Sequence, residues 1–377
     1  MNILYFSTFG YSLKIWNESG QLSREVKHFS KIHEKNNDVN FTIITYGDEG
    51  DEKLIKNEFI KVIPIYKYIK KSNYKIVNFI KSFFIFTIIH KLDLKKHEIL
   101  IQNQLLGFWV AYIFKIKLKS PLIIRTGYDM YEFAKLENKS FFKKYFFKRL
   151  TILGLSCSDI YTVTSHCDKK FLLSNFRIKN HSKVRIRPNW VHLNRKALQS
   201  TVNKRASKKF ASVGRLEKQK NYSYIIEALE GSNYSLDIYG NGTLQKELSQ
   251  LAEDLNVNVN FLGIIENEEL IKRLRDYKYY ITSSIFEGNP KSTLEAMSAG
   301  CLIIASNIKN HTEFLNNENS ILFSNDDPSL KDTISKLDTY EKEHSNIINN
   351  SLYTLEQSYT LDGLVEKELL DLYELTK

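Results

Sequence analysis

The segment FEGNPKSTLEAMSAG, residues 286–300, places two glutamates, Glu287 and Glu295, on either side of a turn sequence. The letters GNP are typical of a turn, and Ser292 or Thr293 is predicted to cap a helix that carries Glu295 on its first turn. Backbone N–H groups at a helix start bind anions, and carboxylates accept hydrogen bonds from paired hydroxyls. The segment therefore predicts recognition of a sugar, a diphosphate and a ribose; the alternative is a helix whose N-terminal acids only favour its dipole.

Two basic residues follow another predicted strand, in the segment SVGRLEKQKN: Arg215 and Lys220. The arginine guanidinium is a planar fork that matches phosphate oxygens, and the lysine ammonium is a mobile point charge. Together they are predicted to neutralise a diphosphate. The alternative is a solvated basic loop, which a chain this basic also favours.

A third strand end carries the glycines of YGNGT, Gly240 and Gly242. The spacing begins like a dinucleotide-binding GxGxxG motif, which would favour a nucleotide-dependent oxidoreductase, but Gln245 stands at the third glycine position. A tight turn between a strand and a helix is the favoured interpretation.

The elements that must position these residues alternate between strand and helix. MNILYFST and VNFTIITYGD are predicted strands, separated by a helix with apolar residues at Leu22, Val26, Phe29 and Ile32. The same β/α alternation runs from KFASVGRL to CLIIASNI. We therefore predict an α/β protein with two doubly wound, Rossmann-like domains facing across a cleft, in which ligands bind at the carboxyl ends of the strands.

The polar and basic segment 194–208 shows no apolar periodicity and is predicted to be a linker. It separates a predicted acceptor-binding domain, residues 1–193, from a predicted nucleotide-binding domain, residues 209–356. The last helix, residues 357–377, is expected to pack back on the N-terminal domain.

The composition is that of a globular protein of 377 residues with a net charge of +11. Three cysteines without paired spacing favour a reducing compartment, and no signal peptide or membrane span is indicated. The sequence contains no Asp-x-Asp triplet, and we expect no metal and no cofactor. The expected location is cytoplasmic.

The stretch 61–97 contains nine lysines and one aspartate, and residues 141–150 mix aromatic with basic residues. The pattern predicts contact with the anionic inner face of a membrane through basic amphipathic helices. Buried core helices have a similar pattern, and that alternative remains open. A basic nucleic-acid-binding protein is a further alternative, although the sequence contains no known nucleic-acid-reading motif and we expect no nucleic-acid partner.

Three segments, VGRLEKQKN, YGNGTLQKELSQLAEDLNVNVNFLG and EGNPKSTLEAMSAGCLIIAS, together resemble the family-four glycosyltransferases of the GT-B fold. The resemblance is weaker in the N-terminal half. It implies transfer of a sugar from a UDP- or GDP-sugar, with retention of configuration and without a metal. The implied acceptor is a glycan or a polyprenyl-diphosphate-linked oligosaccharide in bacterial surface-polysaccharide synthesis.

The resemblance also implies residue roles. Arg215 and Lys220 match the pair that stabilises the donor diphosphate, Glu287 matches the acid that contacts the transferred sugar, and Glu295 matches the acid that holds the ribose. The other positions expected to line the donor are Gly20, Gly214, Gly240, Gly263, Gly288, Asn289, Pro290, Lys291, Ser292 and Thr293.

The N-terminal catalytic group departs from the family pattern. The family often has a histidine followed by an acid at one strand end, whereas RTGYD has Tyr128 and Asp129. Asp129 is expected to be the catalytic group of this domain, with Arg125 nearby.

Overall fold

The computed structural model describes residues 1–89, 97–195, 205–324, 329–340 and 343–377. The chain forms two compact units. Unit 1 contains Met1–Arg187 and Leu364–Lys377, and unit 2 contains Pro188–Gly363. Most of the predicted linker, residues 196–204, lies outside the described residues, as do residues 90–96 of the basic stretch.

The described part of unit 1 is built on one parallel sheet of seven strands in the order β3-β2-β1-β4-β5-β6-β7. The strands are β1 (Asn2–Phe6), β2 (Asn40–Thr45), β3 (Ile60–Pro64), β4 (Ile99–Asn103), β5 (Leu122–Arg125), β6 (Ile160–Val163) and β7 (Val184–Ile186). The helices are α1 (Leu13–Glu18), α2 (Leu22–Lys35), α3 (Lys75–Ser82), α4 (Ile85–Ile89), α5 (Phe108–Leu118), α6 (Met130–Leu136), α7 (Phe141–Cys157) and α8 (His166–Asn175). Apolar runs such as Ile3, Leu4 and Tyr5 are fully buried, as expected for a sheet covered on both faces.

Unit 2 repeats this architecture with a parallel sheet of six described strands in the order β10-β9-β8-β11-β12-β13. The strands are β8 (Ala206–Val213), β9 (Ser235–Tyr239), β10 (Val259–Gly263), β11 (Tyr277–Thr282), β12 (Leu302–Ser306) and β13 (Ile321–Phe323). The helices are α9 (Tyr222–Leu229), α10 (Gln245–Asp254), α11 (Asn267–Leu274), α12 (Lys291–Ser298), α13 (Leu330–Ser335), α14 (His344–Ser358) and α15 (Leu361–Thr376), the last of which lies mostly in unit 1. The predicted α/β fold class, with two parallel sheets, is therefore confirmed.

Buried ion pairs fasten α15 inside unit 1. Asp371 accepts hydrogen bonds from Arg187, with an Nε to Oδ2 distance of 2.9 Å, and also pairs with Arg185. Glu368 pairs with His28, with 2.5 Å between Nε2 and Oε2, and lies 3.9 Å from Arg125. Burial alone would raise the pKa of Glu368, but His28 and Arg125 lower it to about 2. The carboxylate is therefore ionised throughout the neutral range.

The described part of the basic stretch 61–97, predicted to form amphipathic helices, contains two α-helices, α3 and α4. Between α3 and α4 the N–H groups of Phe83 and Phe84 donate to the carbonyls three residues earlier, which closes tight turns. Phe83 stacks on Trp109, whose indole N–H donates to Ser82. Within the described ranges, no helix is long and apolar enough to cross a membrane.

Candidate functional site

The carboxyl ends of β8, β9 and β10 approach each other so closely that glycine is required between them. The N–H of Gly214 donates to the carbonyl of Tyr239 at 2.9 Å, and the N–H of Gly240 donates to the carbonyl of Gly263 at 2.7 Å. A Cβ atom on Gly240, whose φ is +146°, would lie 2.0 Å from the carbonyl oxygen of Gly214. A Cβ on Gly242 would lie 2.3 Å from the carbonyl oxygen of Leu216. The YGNGT segment is thus a tight strand-to-helix turn, and it holds the loop that carries Arg215 and Lys220.

Glu287, in the loop between β11 and α12, is the centre of the candidate site. Its Oε1 atom forms an ion pair with Lys220 and accepts a hydrogen bond from the Ser284 hydroxyl at 2.6 Å. Its other oxygen lies 3.4 Å from the amide nitrogen of Gln219. Burial raises the pKa of Glu287, but the charge and hydrogen bond of Lys220 outweigh burial and hold the pKa below its usual value. Glu287 is therefore a carboxylate although it is only 9% exposed.

Gln219 connects Arg215 to this loop. One Arg215 guanidinium nitrogen lies 3.3 Å from the side-chain oxygen of Gln219, and the Gln219 amide donates to the carbonyl of Phe286 at 2.8 Å. Arg215 is otherwise exposed, so most of its guanidinium donors face solvent. The structure brings Arg215, Lys220 and Glu287 into one hydrogen-bonded cluster.

The start of α12 differs from the prediction. Pro290 occupies the N-cap position and makes no side-chain cap, whereas Ser292 and Thr293 lie inside the first turn. The fixed φ of proline suits a helix start, which displaces the expected hydroxyl cap. Among the described residues, the backbone N–H groups of Gly288, Asn289 and Ser292 have no acceptor. Unpaired backbone N–H groups and the positive end of a helix dipole favour the binding of an anion.

Glu295 lies on the second turn of α12, not on the first as predicted. It is buried and accepts a hydrogen bond from the Asn267 amide at 2.7 Å, and it lies 3.4 Å from the ammonium of Lys291. Asn267 begins α11, so the start of another helix holds this second acid in place.

His311 follows β12 and lies behind the Glu287 loop. Its Nδ1 atom donates to the carbonyl of Ser306 at 2.8 Å, because a carbonyl oxygen only accepts. The Ser306 hydroxyl in turn donates to the carbonyl of Ser284 at 2.7 Å. Burial lowers the pKa of His311, so the ring is neutral near pH 7 and its Nε2 atom is an acceptor without a donor among the described residues.

The predicted residues of unit 1 have structural contacts instead. Asp129 caps α6 and accepts hydrogen bonds from the Glu132 N–H at 2.8 Å and from the Thr151 hydroxyl at 2.9 Å. It is only 1% exposed, so we assign it the role of a helix cap and not that of the catalytic group. Gly20 lies in the turn between α1 and α2, where its N–H donates to the carbonyl of Asn17 at 3.0 Å, and not in an open glycine loop.

Sequence reasoning missed several residues that hold the site. They are Asn189, Gln219, Asn267, Ser284, Asn310 and His311. Gln219, Asn267 and Ser284 adjoin strand ends that carry predicted residues, so the rule that found Glu287 could have found them. Asn310 and His311 follow β12, and Asn189 follows β7, where no site residue was predicted. Among the described residues, no group of three or more histidine, cysteine or acidic side chains is placed to hold a metal ion.

Comparison with known proteins bears on the family and on the fold. Residues 194–352 match the family model described as glycosyl transferases group 1. The chain is 28% identical over 310 residues to an uncharacterized glycosyltransferase of Methanocaldococcus jannaschii. The matched region covers 75% of this chain and 71% of that protein. It is 26% identical over 274 residues to the Escherichia coli UDP-Gal:alpha-D-GlcNAc-diphosphoundecaprenol alpha-1,3-galactosyltransferase, covering 68% of this chain and 64% of that enzyme.

The fold extends the likeness to the whole chain. The solved structure of sucrose-phosphate synthase from Thermosynechococcus elongatus matches with a TM-score of 0.79 at 15% identity, covering 99% of this chain and 98% of that one. At this level of identity the likeness bears on the fold. Together the two comparisons confirm the predicted resemblance: residues 194–352 carry a domain of the glycosyl transferases group 1 family, and the chain has the GT-B fold.

Proposed function

We propose that this chain is a retaining glycosyltransferase that uses a nucleoside diphosphate sugar to extend a glycan or a lipid-linked oligosaccharide in bacterial surface-polysaccharide synthesis. The observation that carries the proposal is the ion pair of Lys220 and Glu287 beside the start of α12. A cation, an ionised acid and unpaired backbone donors lie together there. A diphosphate and a sugar with neighbouring hydroxyl groups match these three kinds of group.

The proposed donor contacts follow from the charges. Arg215, Lys220 and the N-terminus of α12 hold the two phosphates, while Glu287 accepts hydrogen bonds from the transferred sugar. Glu295 accepts them from the ribose. As the bond between the sugar and the β-phosphate breaks, negative charge grows on the phosphate oxygens. Hydrogen-bond donors of the protein that are already fixed in place stabilise that charge without reorganisation.

In this mechanism Lys220 interacts with two anions, the Glu287 carboxylate and the diphosphate. Without donor it neutralises Glu287. With the nucleotide sugar bound, the ammonium lies between the carboxylate and the diphosphate. It retains a hydrogen bond to each, since it has three N–H groups. The ionised state of Glu287 then makes it an acceptor for sugar hydroxyls. No metal takes part in the mechanism that we propose.

A UDP- or GDP-sugar is the proposed donor, and a polyprenyl-diphosphate-linked glycan is the proposed acceptor. The name of the Escherichia coli relative supports both choices, because it specifies UDP-Gal and a sugar on diphosphoundecaprenol. Such an acceptor lies at a membrane surface, which places the proposed reaction on the cytoplasmic face of the cell membrane.

Contact with that membrane is proposed through two aromatic and basic surfaces of unit 1. On α7, Phe141 and Phe142 are 75% and 82% exposed, and Lys143 lies beside them. On α3, Ile76 is 66% exposed and Ile80 is 55% exposed. Apolar side chains with this exposure favour the membrane interpretation over buried core helices, and neighbouring lysines suit anionic lipids.

The deciding experiment is a panel of UDP-, GDP- and other nucleotide-sugars, screened for donor hydrolysis and for thermal stabilisation. One nucleotide series is expected to raise the melting temperature, because a ligand present at 100 times its Kd stabilises the folded state by about 2.7 kcal/mol. Activity should persist in EDTA. Stabilisation by nicotinamide cofactors alone, or by no nucleotide, would contradict the proposal.

A further inference from the structure

Asn289, in the loop between Glu287 and α12, is joined to Asn189 by two hydrogen bonds. The backbone N–H of Asn189 donates to Oδ1 of Asn289 at 2.9 Å. The side-chain amide of Asn189 donates to the backbone carbonyl of Asn289 at 2.7 Å. Both residues belong to unit 2. A residue 100 positions earlier in the chain thus holds both the backbone and the side chain of Asn289.

These bonds fix which way the Asn289 amide faces. A backbone N–H donates and never accepts, so the atom that meets Asn189 must be the oxygen of the Asn289 side chain. The NH2 group therefore points away from Asn189. Among the described residues it has no acceptor. Its nitrogen is not sealed from solvent, even though Asn289 is only 8% exposed. An oriented donor consequently faces accessible space beside the start of α12.

The hydrogen-bond acceptors of the surrounding loop are already engaged. Asn310 donates from its amide to the carbonyl of Gly288 at 3.0 Å, and Asn189 takes the carbonyl of Asn289. The carboxylate of Glu287 is engaged by Lys220 and Ser284. Among the described residues, the two backbone N–H groups of residues 288–289 and the Asn289 NH2 group are left without an acceptor. A cluster of donors at the positive end of a helix suits an anionic oxygen, not a sugar hydroxyl that must also donate.

We propose that the side-chain NH2 group of Asn289 binds a phosphate oxygen of the nucleotide donor, and that Asn189 is the positioning residue that orients it. This inference rests on the proposed function, since it assigns one more contact to the same donor site. Asn189 acts through Asn289: it holds the loop carbonyl, and its backbone N–H selects the amide orientation.

The test compares the binding of UDP and GDP to the full chain by calorimetry. Asn289→Asp keeps the acceptor that faces Asn189 but replaces the NH2 donor with an anionic oxygen, so the Kd of the nucleotide that binds should rise at least tenfold. Asn289→Ala removes the group without adding charge and should raise the Kd about fivefold. Asn346→Asp is the charge control, because Asn346 is exposed on α14 of the same unit. It should leave the Kd within twofold of that of the unaltered chain.

A double-mutant cycle separates positioning from general loss of structure. Asn189→Ala keeps the backbone N–H and removes only the side-chain bond to the Asn289 carbonyl, so it tests how that bond positions the NH2 group. It should raise the Kd threefold or more alone, yet by less than a factor of 1.5 when Asn289 is already alanine and the NH2 group is absent. Thermal melting of each variant reports folding separately. Equal nucleotide affinity for Asn289→Asp and Asn346→Asp overturns the phosphate contact. An undiminished effect of Asn189→Ala in the Asn289→Ala background overturns the positioning role.

The failure of the proposed function would have a different signature. If the unaltered chain bound neither UDP nor GDP at millimolar concentration, the nucleotide donor proposed above would be wrong, and the Asn289 contact with it. If the unaltered chain bound one of them and the variants bound it equally, only the present inference would be lost.

Discussion

Lys220 and Glu287, 67 residues apart in the chain, form an ion pair through Nζ and Oε1. Both side chains are largely withdrawn from water, Lys220 with 14% and Glu287 with 9% of its side-chain surface exposed. Removing one partner from such a pair leaves an uncompensated buried charge. The pair therefore serves stability in the free protein and, in the proposed mechanism, supplies both the cation for the diphosphate and the acid for the sugar.

Lys220→Ala should lower kcat with the identified donor at least 100-fold and destabilise the fold by roughly 3 kcal/mol, because Glu287 stays buried without its cation. The double variant Lys220→Ala with Glu287→Gln removes both charges and should recover most of the stability but none of the turnover. Thermal melting and initial rates measure the two effects. Full activity in Lys220→Ala would remove the diphosphate role of this lysine.

Arg215→Ala should lower kcat/KM by one to two orders of magnitude without changing the melting temperature. Its guanidinium is exposed and makes a single 3.3 Å contact with Gln219, so little stability depends on it. Arg273→Ala is a matched control, since Arg273 is an exposed arginine of unit 2 paired with Glu269. The control should keep its kcat/KM within twofold. Equal losses in the two variants would speak against a specific donor contact.

Asp129→Asn should keep kcat within a few-fold of the unaltered chain and stabilise it near pH 7. Burial raises the pKa of Asp129 to about 6 from its ordinary value of 3.8. The folded state thus binds this proton more tightly than the unfolded state, and stability falls as the pH rises from about 4 through 6. Asparagine removes this decline, worth at most about 3 kcal/mol, while it still accepts from the Glu132 N–H. Denaturant unfolding of both chains at pH 4 and pH 7 measures the decline in stability.

A 100-fold loss of kcat in a folded Asp129→Asn chain would contradict this assignment and return Asp129 to the catalytic role first predicted for it. No difference in pH dependence between the two chains would show that the carboxyl group is not shifted in the folded state.

Gly240→Ala should prevent unit 2 from packing normally, because its new Cβ atom would lie 2.0 Å from the backbone oxygen of Gly214. Backbone atoms cannot move aside as the end of a flexible side chain can. Gly231→Ala is the comparison: its φ is +73°, yet nothing lies within 4 Å of the added atom. We expect it to cost only about 1 kcal/mol of conformational strain. Soluble yield and melting temperature should separate the two variants, and similar values would disprove the close approach.

Phe142→Ser combined with Phe146→Ser should weaken binding to vesicles containing 30% phosphatidylglycerol at least fivefold. Both aromatic residues are exposed on α7, and lysines on the same helix favour an anionic surface. Co-sedimentation with neutral vesicles, compared with the anionic ones, shows how much of the binding is electrostatic. Tyr353→Ser is the control, since Tyr353 is 60% exposed on α14 of unit 2. If the α7 variant sedimented like the control, this membrane surface would have to be abandoned.

Residue types at strand ends were enough to reveal the resemblance to the glycosyltransferases and to single out Arg215, Lys220, Glu287 and Glu295 as candidates. This works because parallel sheets gather the carboxyl ends of their strands at one edge, so side chains just past those ends come together whatever the loops between them contain. The alternation of apolar strands and amphipathic helices likewise predicted both sheets.

Local rules failed where tertiary contacts compete with them. Ser292 and Thr293 are good capping residues, yet Pro290 occupies the N-cap position and leaves them on the first turn of the helix. Asp129 stands in a motif position that suggests chemistry, but the packing of α6 and α7 buries it against Thr151. The apolar face of α3 fits a core helix equally well, and only the folded chain leaves Ile76 exposed.

The amino-acid sequence by itself determined the fold class and the kinds of group at the candidate site, because these depend on periodicity and on which residues follow each strand. The tertiary structure alone decided which atoms meet: Lys220 on Glu287, Asn267 on Glu295, and Asn189 on Asn289. Hydrogen bonds between residues so far apart in the chain depend on ångström-scale placement of whole strands and loops, and no local pattern of residues encodes that placement.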